Sequence, residues 1–513
     1  MKLAVGVVAV GVLGCLGCGV DGGSDEVRAD TQGGLDSVGA TDGDDSEATV
    51  APTCEGIGST TLRLTQDGID LRDADGRAVK LRGVNAGSRA KFTPYVPFAY
   101  RDIDANAPLF DEALAAYYDR IVGWGLNVVR MPFTWEAIEP ARGTYDEAFL
   151  TRLDAMIAAA SERHIRVVLD FHQDVFGHRY CGDGFPEWAL GDPAVARPAD
   201  CSTWFLNYFQ NTDMMADFDR FWANDDGLRD AFEALWTMLA ERYADTDAVI
   251  GFEVMNEPGW GTHDLAEFSR DVLTPFYTRM VEVIRAVAKD TLIFVDPTGL
   301  DGVSGDTALE RPVGDGIVFA PHYYNPLAIS GTGVPEAAIV DEVLAKWQAV
   351  GRAWNVPVLI GEFGLPAATP DANQFLRANW DAFDRLGLHG TQWEYSVTGD
   401  KWNAESMSLV DSDGSERAIA LELVRAYPVA VSGELARWSF ERTTSIAEIA
   451  FVVANPSDSP ARPTLVAVPA ALYGSRAPHV EVDGDACTRW DAERQLLVIG
   501  GSGAVRVRIS PEP

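Results

Sequence analysis

Between residues 79 and 396 the chain repeats one device eight times: a short apolar run that closes on polar residues, usually followed by a stretch with helical periodicity. The runs are VKLRGVN (79–85), LNVVRMPF (126–133), IRVVLDFH (165–172), VIGFEVMNEP (249–258), TLIFVDP (291–297), GIVFAPHYY (316–324), PVLIGEFG (357–364) and GTQWEYS (390–396). Several are nearly continuous in Val, Ile, Leu and Phe, as parallel strands covered on both faces must be. Stretches such as LFDEALAAYYDRIVGWG (109–125), FLTRLDAMIAAASERH (149–164), LRDAFEALWTMLAERYA (228–244) and IVDEVLAKWQAVGRAW (339–354) space their apolar residues three and four apart. Eight strand–helix units predict an α/β fold of the (β/α)8 TIM-barrel type. The competing doubly wound sheet would need a Gly-rich phosphate turn after its first strand, and none is present.

The flanks differ from this pattern. Ahead of the barrel, TLRLTQDGIDLRDADGRAV reads as a β-hairpin with turns at DG and ADG, placed to close the barrel floor. Behind it the helical pattern stops near Tyr427–Pro428, and AEIAFVVAN, TLVAVPAAL and AVRVRIS predict a small C-terminal antiparallel β-sandwich. Its Trp438, Tyr473 and Trp490 suit the core of a module that size, which is read as structural. The domains are then 1–18, 19–54, a barrel over 55–428 and a sandwich over 429–513.

Residues 1–18 carry one basic residue and an apolar run too short to span a bilayer, as a signal peptide does. Cys15 and Cys18 each follow small residues, in the manner of a bacterial lipoprotein cleavage box, so either could carry lipid. Residues 19–52 hold nine acidic residues, one Arg and no aromatic residue, the composition of a solvated tether. An exported protein is therefore expected, lipid-anchored at the cell envelope or secreted.

The whole chain has 41 basic and 77 acidic residues, a net charge of −36. Such a surface repels phosphate backbones, which argues against a nucleic-acid partner. A monomer is expected. Export permits disulfides, and four cysteines follow the leader: Cys54, Cys181, Cys201 and Cys487. Four cysteines allow three pairings. Cys181 and Cys201 share one irregular Gly/Pro-rich segment and are paired here, leaving Cys54 with Cys487; spacing alone does not exclude the other two. Beyond the leader no CxxC occurs, the chain has no HExxH motif and its seven histidines are scattered, so neither a metal nor a cofactor is expected.

Active residues of such a barrel lie at the C-terminal ends of its strands. Arg130 ends the second run, His172 and Asp174 the third, Asn256 and Glu257 the fourth, His322 and Tyr324 the sixth, Glu362 the seventh and Trp393 the eighth. Any one of these could be a satisfied buried group; their joint placement points to chemistry. Glu257 and Glu362 each close an apolar strand, where an unpaired charge is costly. Glycoside cleavage uses two carboxyl groups, about 5–5.5 Å apart for retention and roughly 6.5–9.5 Å for inversion. Strand geometry favours the shorter spacing.

The set VVRMPF, DFHQDV, VMNEP, PHYYN, GEFG and QWEYS resembles glycoside hydrolase family 5 over residues 60–425. DFHQDVF, NAGSRAKF, the long segment 174–224 and a trailing sandwich are similar to the endoglycoceramidase branch, which cuts intact glycans from glycosphingolipids. The resemblance implies that Glu257 is the acid/base and Glu362 the nucleophile. Arg130 and Tyr324 would keep Glu362 ionised, and Asn256 would hold the 2-hydroxyl of the attacked sugar. His172 and His322 would line the same subsite, Trp393 would offer a stacking face, and Lys91 and Asp174 would contact the glycan.

Four loops above the strand ends are rich in apolar residues: KFTPYVPFAY (91–100), STWFLNYFQ (202–210), DFDRFWAN (217–224) and PLAISGTGVPEAAIV (326–340). They would form either a slot for ceramide or loop cores packed on each other. Rival activities are a β-glucosidase acting on glucosylceramide or steryl glucoside and a polysaccharide endoglycanase. The rival outside enzymology is an inactive surface glycan-binding protein.

Overall fold

The computed structural model describes residues 54–98, 107–192, 194–397, 405–453, 462–474 and 476–511. The expected leader and tether, with Cys15 and Cys18, lie outside the described residues, as do Ala99 and Tyr100 of the first apolar loop.

A hairpin of β1 (Thr65–Asp67) and β2 (Asp70–Arg72), joined by β3 (Ala78–Val79), leads into eight parallel strands. These are β4 (Arg82–Asn85), β5 (Val128–Phe133), β6 (Arg166–Phe171), β7 (Val249–Glu253), β8 (Leu292–Val295), β9 (Ile317–Phe319), β10 (Leu359–Ile360) and β11 (His389–Gln392). β11 pairs with both β10 and β4, and the bridges Phe319–Val358 and Tyr323–Phe363 join the sixth strand to the seventh, so the barrel closes. Helices Ala107–Gly123, Glu147–Glu162, Leu228–Tyr243 and Ala337–Trp354 occupy the connections where periodicity placed them. The second starts at Glu147 because the Asp146 carboxylate accepts the N–H groups of Ala148 and Phe149, which would otherwise be unpaired.

Side chains alternate across a strand, and in a closed barrel every second one points inward. On β5 to β9 these inward positions run from apolar at the floor to polar at the top. Val128, Val168, Leu292, Phe294, Val318 and Ala320 share one floor core, whereas Val129, Leu169, Ile293 and Phe319 face the helices. One turn of the pleat beyond the floor come Arg130, Asp170, Asp296 and His322, all buried. The fold thus gathers strand-end polar groups into one cluster on an apolar floor.

The C-terminal strands are β12 (Tyr427–Val431), β13 (Glu434–Glu441), β14 (Ile446–Val453), β15 (Thr464–Ala467), β16 (His479–Asp491) and β17 (Leu496–Ser510). With β1 to β3 they form a single nine-stranded antiparallel sheet, because β3 pairs with β12. The expected sandwich is this one sheet folded on itself. β17 pairs with β15 through Leu496–Ile499 and with β14 from Gly503 to Ile509, passing Gly500 and Gly501 between. Leu497 and Ile499 therefore meet Val505 and Val507 in one core, against which Trp438 and Trp490 pack and in which Tyr473 is buried. Val498 and Leu465 point the other way, onto the barrel floor with Leu71 and Val79 of the hairpin. Disulfides Cys54–Cys487 and Cys181–Cys201 are both formed.

Candidate active site

Arg130 organises the cluster. Its side chain is fully buried, where an isolated cation would be prohibitive, and carboxylates surround it. Nε and Nη2 donate to the two oxygens of Glu253 at 2.8 and 2.7 Å, Nη1 donates to Glu362 Oε1 at 2.6 Å and to Asn85 Oδ1 at 2.9 Å, and Nη2 donates to Asn256 Oδ1 at 2.8 Å. Asp170 Oδ2 lies 3.1 Å from Nη2. A planar guanidinium can satisfy so many acceptors at fixed angles, which an ammonium could not.

Glu362 and Glu257 face each other across His322. Carboxylate oxygens of the two glutamates and a ring nitrogen of His322 lie within 4.8 Å of one another. His322 Nδ1 donates to Glu257 Oε1 at 2.8 Å and lies 3.7 Å from Glu362 Oε2, to which the Tyr324 hydroxyl donates at 2.9 Å. Burial alone would raise the Glu362 carboxyl, but the cations His322, Arg130, His172 and Lys91 outweigh it and hold the group down at about 2. His322 contributes more than Arg130, a larger share than the sequence suggested. Burial opposes the charge on His322, yet Asp296, Glu362 and Glu257 hold the ring up at about 10. Glu362 is an ionised carboxylate with donors on both oxygens, the state a nucleophile must start in.

The second wall is built from loops. Lys91 Nζ donates to Asp174 Oδ2 at 2.5 Å and sits 4.4 Å from the Trp393 ring centroid. His172 stacks on the same indole, centroids 5.3 Å apart and planes 13° apart, and its Nδ1 donates to Asp170 Oδ2 at 2.6 Å. Burial and Lys91 lower His172, but Asp170 outweighs them and raises it to about 9. Burial pushes the Asp174 carboxyl up, and Lys91 and His172 bring it down to about 2.

Arg130 lies beneath the site at 0% exposure and acts through Glu362 and Asn256, as expected of the group that keeps Glu362 ionised. Trp393 is 2% exposed, with Lys91 and His172 against its ring. The remaining residues, Lys91, His172, Asp174, Asn256, Glu257, His322, Tyr324 and Glu362, are brought together as expected.

Asn85, Asp170, Glu253 and Asp296 were missed. Asp170 is two residues before His172 on the same inward face, and Asp296 ends the fifth run; the strand-end rule applied to that run finds it. Glu394 follows Trp393 but accepts Ser88 N–H at 3.1 Å and the Ser396 hydroxyl at 2.6 Å, a loop anchor rather than a third acid. His172, Asp174 and Asp183, then Glu253, Asp296 and His322, then Glu257, His322 and Glu362 are each spaced closely enough to hold a cation. In each group the surrounding carboxylates hold the histidine towards its cationic form.

The shifts predict a stability window. Glu362 is depressed from 4.5 to about 2, so its contribution is complete above about 4.5 and lost as pH falls through 2. His172 and His322 are raised from 6.5 to about 9 and about 10, so theirs is complete below about 6.5 and lost as pH rises through those values. The joint contribution of these three groups should therefore be largest between about pH 4.5 and 6.5, and the alkaline decline of the melting temperature should be smaller in His322→Gln. A melting temperature that climbs between pH 8 and 10 would contradict these assignments.

Comparison with known proteins agrees with this geometry. The cellulase family, glycosyl hydrolase family 5, matches residues 73–399, and the glycoside hydrolase family 5 C-terminal domain matches residues 425–509. Endoglycoceramidase I of Rhodococcus hoagii (strain 103S) is 29% identical over 476 residues, covering 88% of each chain. The endoglycoceramidase of Cyanea nozakii is 26% identical, over 74% of this chain and 80% of that one. Among solved structures, the ganglioside GM3 complex of endo-glycoceramidase II from Rhodococcus sp. superposes with a TM-score of 0.72 at 28% identity, covering 86% of this chain and 99% of that one.

Proposed function

The chain belongs to glycoside hydrolase family 5 and is an O-glycosyl hydrolase, and from that premise we propose that it is a retaining endoglycoceramidase. Glu362 attacks the anomeric carbon of the sugar next to ceramide while Glu257 gives its proton to the departing oxygen, forming a glycosyl-enzyme ester and free ceramide. The charge left on Glu257 is met by the His322 Nδ1–H. Glu257 then takes a proton from water as that water attacks the anomeric carbon, releasing the glycan with retained configuration and freeing Glu362. The close approach of the two carboxylates supports this course over inversion, which needs room for water between them. Asn256 is held towards the substrate by Arg130 and by its own amide, which donates to Gln173 O at 3.0 Å.

The observation that carries the ceramide assignment is the apolar side of Glu257. An acid that protonates the leaving oxygen faces the aglycone, so what lies beyond it contacts the leaving group. Trp260, three residues after Glu257, stacks on Tyr208 with centroids 5.3 Å apart, and Phe209 packs against it at 5.7 Å. Phe209 is 46% exposed, Leu327 and Ile329 beyond β9 are 54% and 42% exposed, and Ile339 in the first turn of the helix Ala337–Trp354 is 46% exposed. Two of the four apolar loops thus stay open to a lipid. In the other two, Val96, Phe98, Phe218, Phe221 and Trp222 are buried, which is loop-core packing. On the opposite side the charged pair Lys91 and Asp174 suits sugar hydroxyls.

The proposal includes export, with lipid on Cys15 or Cys18, and a monomer acting on membrane glycolipids. Incubation with a ganglioside, lactosylceramide, glucosylceramide and a soluble cellulose derivative tests it. Intact glycan and ceramide are expected from the first two. Glucose released from glucosylceramide alone would mean a β-glucosidase, and activity confined to the polymer would sink the lipid reading.

A further inference from the structure

Glu257 sits in an unfavourable backbone conformation. Its φ is 39°, a region that residues with a Cβ seldom occupy, so the surrounding structure must impose it. Both sides of the residue are clamped. Its N–H donates to Asp296 Oδ2 at 2.9 Å, and the Gln173 amide donates to the carbonyls of Asn256 and Glu257 at 2.9 and 2.7 Å.

Asp296 has a second contact. The same Oδ2 lies 3.4 Å from Nε2 of His322, whose other nitrogen donates to the Glu257 carboxylate. That Nε2 is buried and makes no hydrogen bond among the described residues, and the Asp296 carboxyl, itself pushed up by burial against the pull of His322, is the acidic group beside it. Asp296 is thus connected to Glu257 twice, through the main chain and through His322. Its own position is secured by the Tyr277 hydroxyl, which donates to the Asp296 carbonyl at 2.7 Å. A third contact comes from the same segment: a Cβ on Gly299 would fall 2.5 Å from Glu257 Oε2 and 2.7 Å from Cδ. Backbone at residue 299 therefore forms a wall against which the carboxyl group rests.

We propose that Asp296 and Gly299, at the end of β8, are positioning residues for the acid/base: Asp296 fixes the Glu257 main chain and the His322 ring, and Gly299 leaves the space its carboxyl group fills. This rests on the reading of Glu257 as the acid. A misplaced acid costs most where the leaving group needs a proton and little where it does not, a selectivity that general destabilisation would not produce.

The test compares kcat/KM on lactosylceramide with kcat/KM on 2,4-dinitrophenyl β-lactoside, whose phenolate departs unprotonated. Asp296→Ala should lose about 10²-fold on the first and less than about 5-fold on the second. Asp296→Asn keeps an oxygen for the Glu257 N–H but not the carboxyl group beside His322, and should recover to within about tenfold of wild type on lactosylceramide. Gly299→Ala, which leaves Asp296 untouched, should show the same selective loss at an unchanged melting temperature. Should Asp296→Ala not fold, the other two variants decide. Equal losses on both substrates in folded variants overturn the proposal. Glu257→Ala is run alongside: if it too loses equally, the acid assignment has failed, whereas a selective Glu257→Ala with unselective Asp296 and Gly299 variants rejects the positioning role alone.

Discussion

Glu362→Ala should abolish turnover of every β-glycoside, by at least about 10⁴-fold, and leave a folded protein. The loss follows from removing the atom that forms the glycosyl-enzyme bond, for which no neighbour can substitute. Asp170 and Glu253 are held against Arg130 deep in the barrel, and Glu257 belongs to the opposite face of the bond. Survival of the fold follows from the charges. With Glu362 gone, Arg130 keeps its bidentate partner Glu253 and the contact to Asp170, so the buried cation is not left uncompensated. His322 keeps Glu257 and Asp296. Circular dichroism and a thermal melt should match wild type within a few degrees. The same pair of proteins separates an enzyme from a glycan-binding relict: a wild type that cleaves no β-glycoside would favour the relict, and more than about 1% of wild-type activity in the variant would mean Glu362 is not the nucleophile.

Glu257→Ala should lose about two to four orders of magnitude in kcat/KM on lactosylceramide. A ceramide alkoxide is a poor leaving group, so its departure depends on the proton. An activated aryl lactoside should lose much less, because its glycosylation step needs none; what it does lose should be in kcat, where deglycosylation requires a base for water. Azide added to this variant should restore turnover of the aryl substrate, since a small anion can enter the vacated carboxylate position and attack without base assistance. Equal losses on both substrates with no rescue would remove Glu257 from the acid/base role.

Much of the site was legible along the chain because a barrel converts sequence position into spatial position. A strand's C-terminal end is always on the active face, so Arg130, His172, Glu257, His322 and Glu362 could be selected without any knowledge of their partners. The inner residues were harder. Asp170 and Glu253 stand within apolar runs, and what makes them tolerable there is Arg130 arriving from another strand, β5, a contact that no local pattern encodes. Asp296 obeyed the strand-end rule, but its purpose depends on Glu257 and His322 from two other strands. The C-terminal alternation predicted strands correctly, yet one sheet folded on itself and two facing sheets share the same period of two, so only the pairing of β17 with both β14 and β15 distinguishes them.

Trp393 marks the boundary most clearly. Residue type and strand-end position placed it at the site, and those two properties follow from the sequence alone. That Lys91 and His172 lie against its ring depends on two side chains brought from elsewhere in the barrel. The sequence by itself determined the eightfold alternation, the active end of the barrel and the two glutamates, because each follows from local periodicity. The tertiary structure alone decided which charges compensate which, because a buried charge is stable only through partners brought to it by other strands.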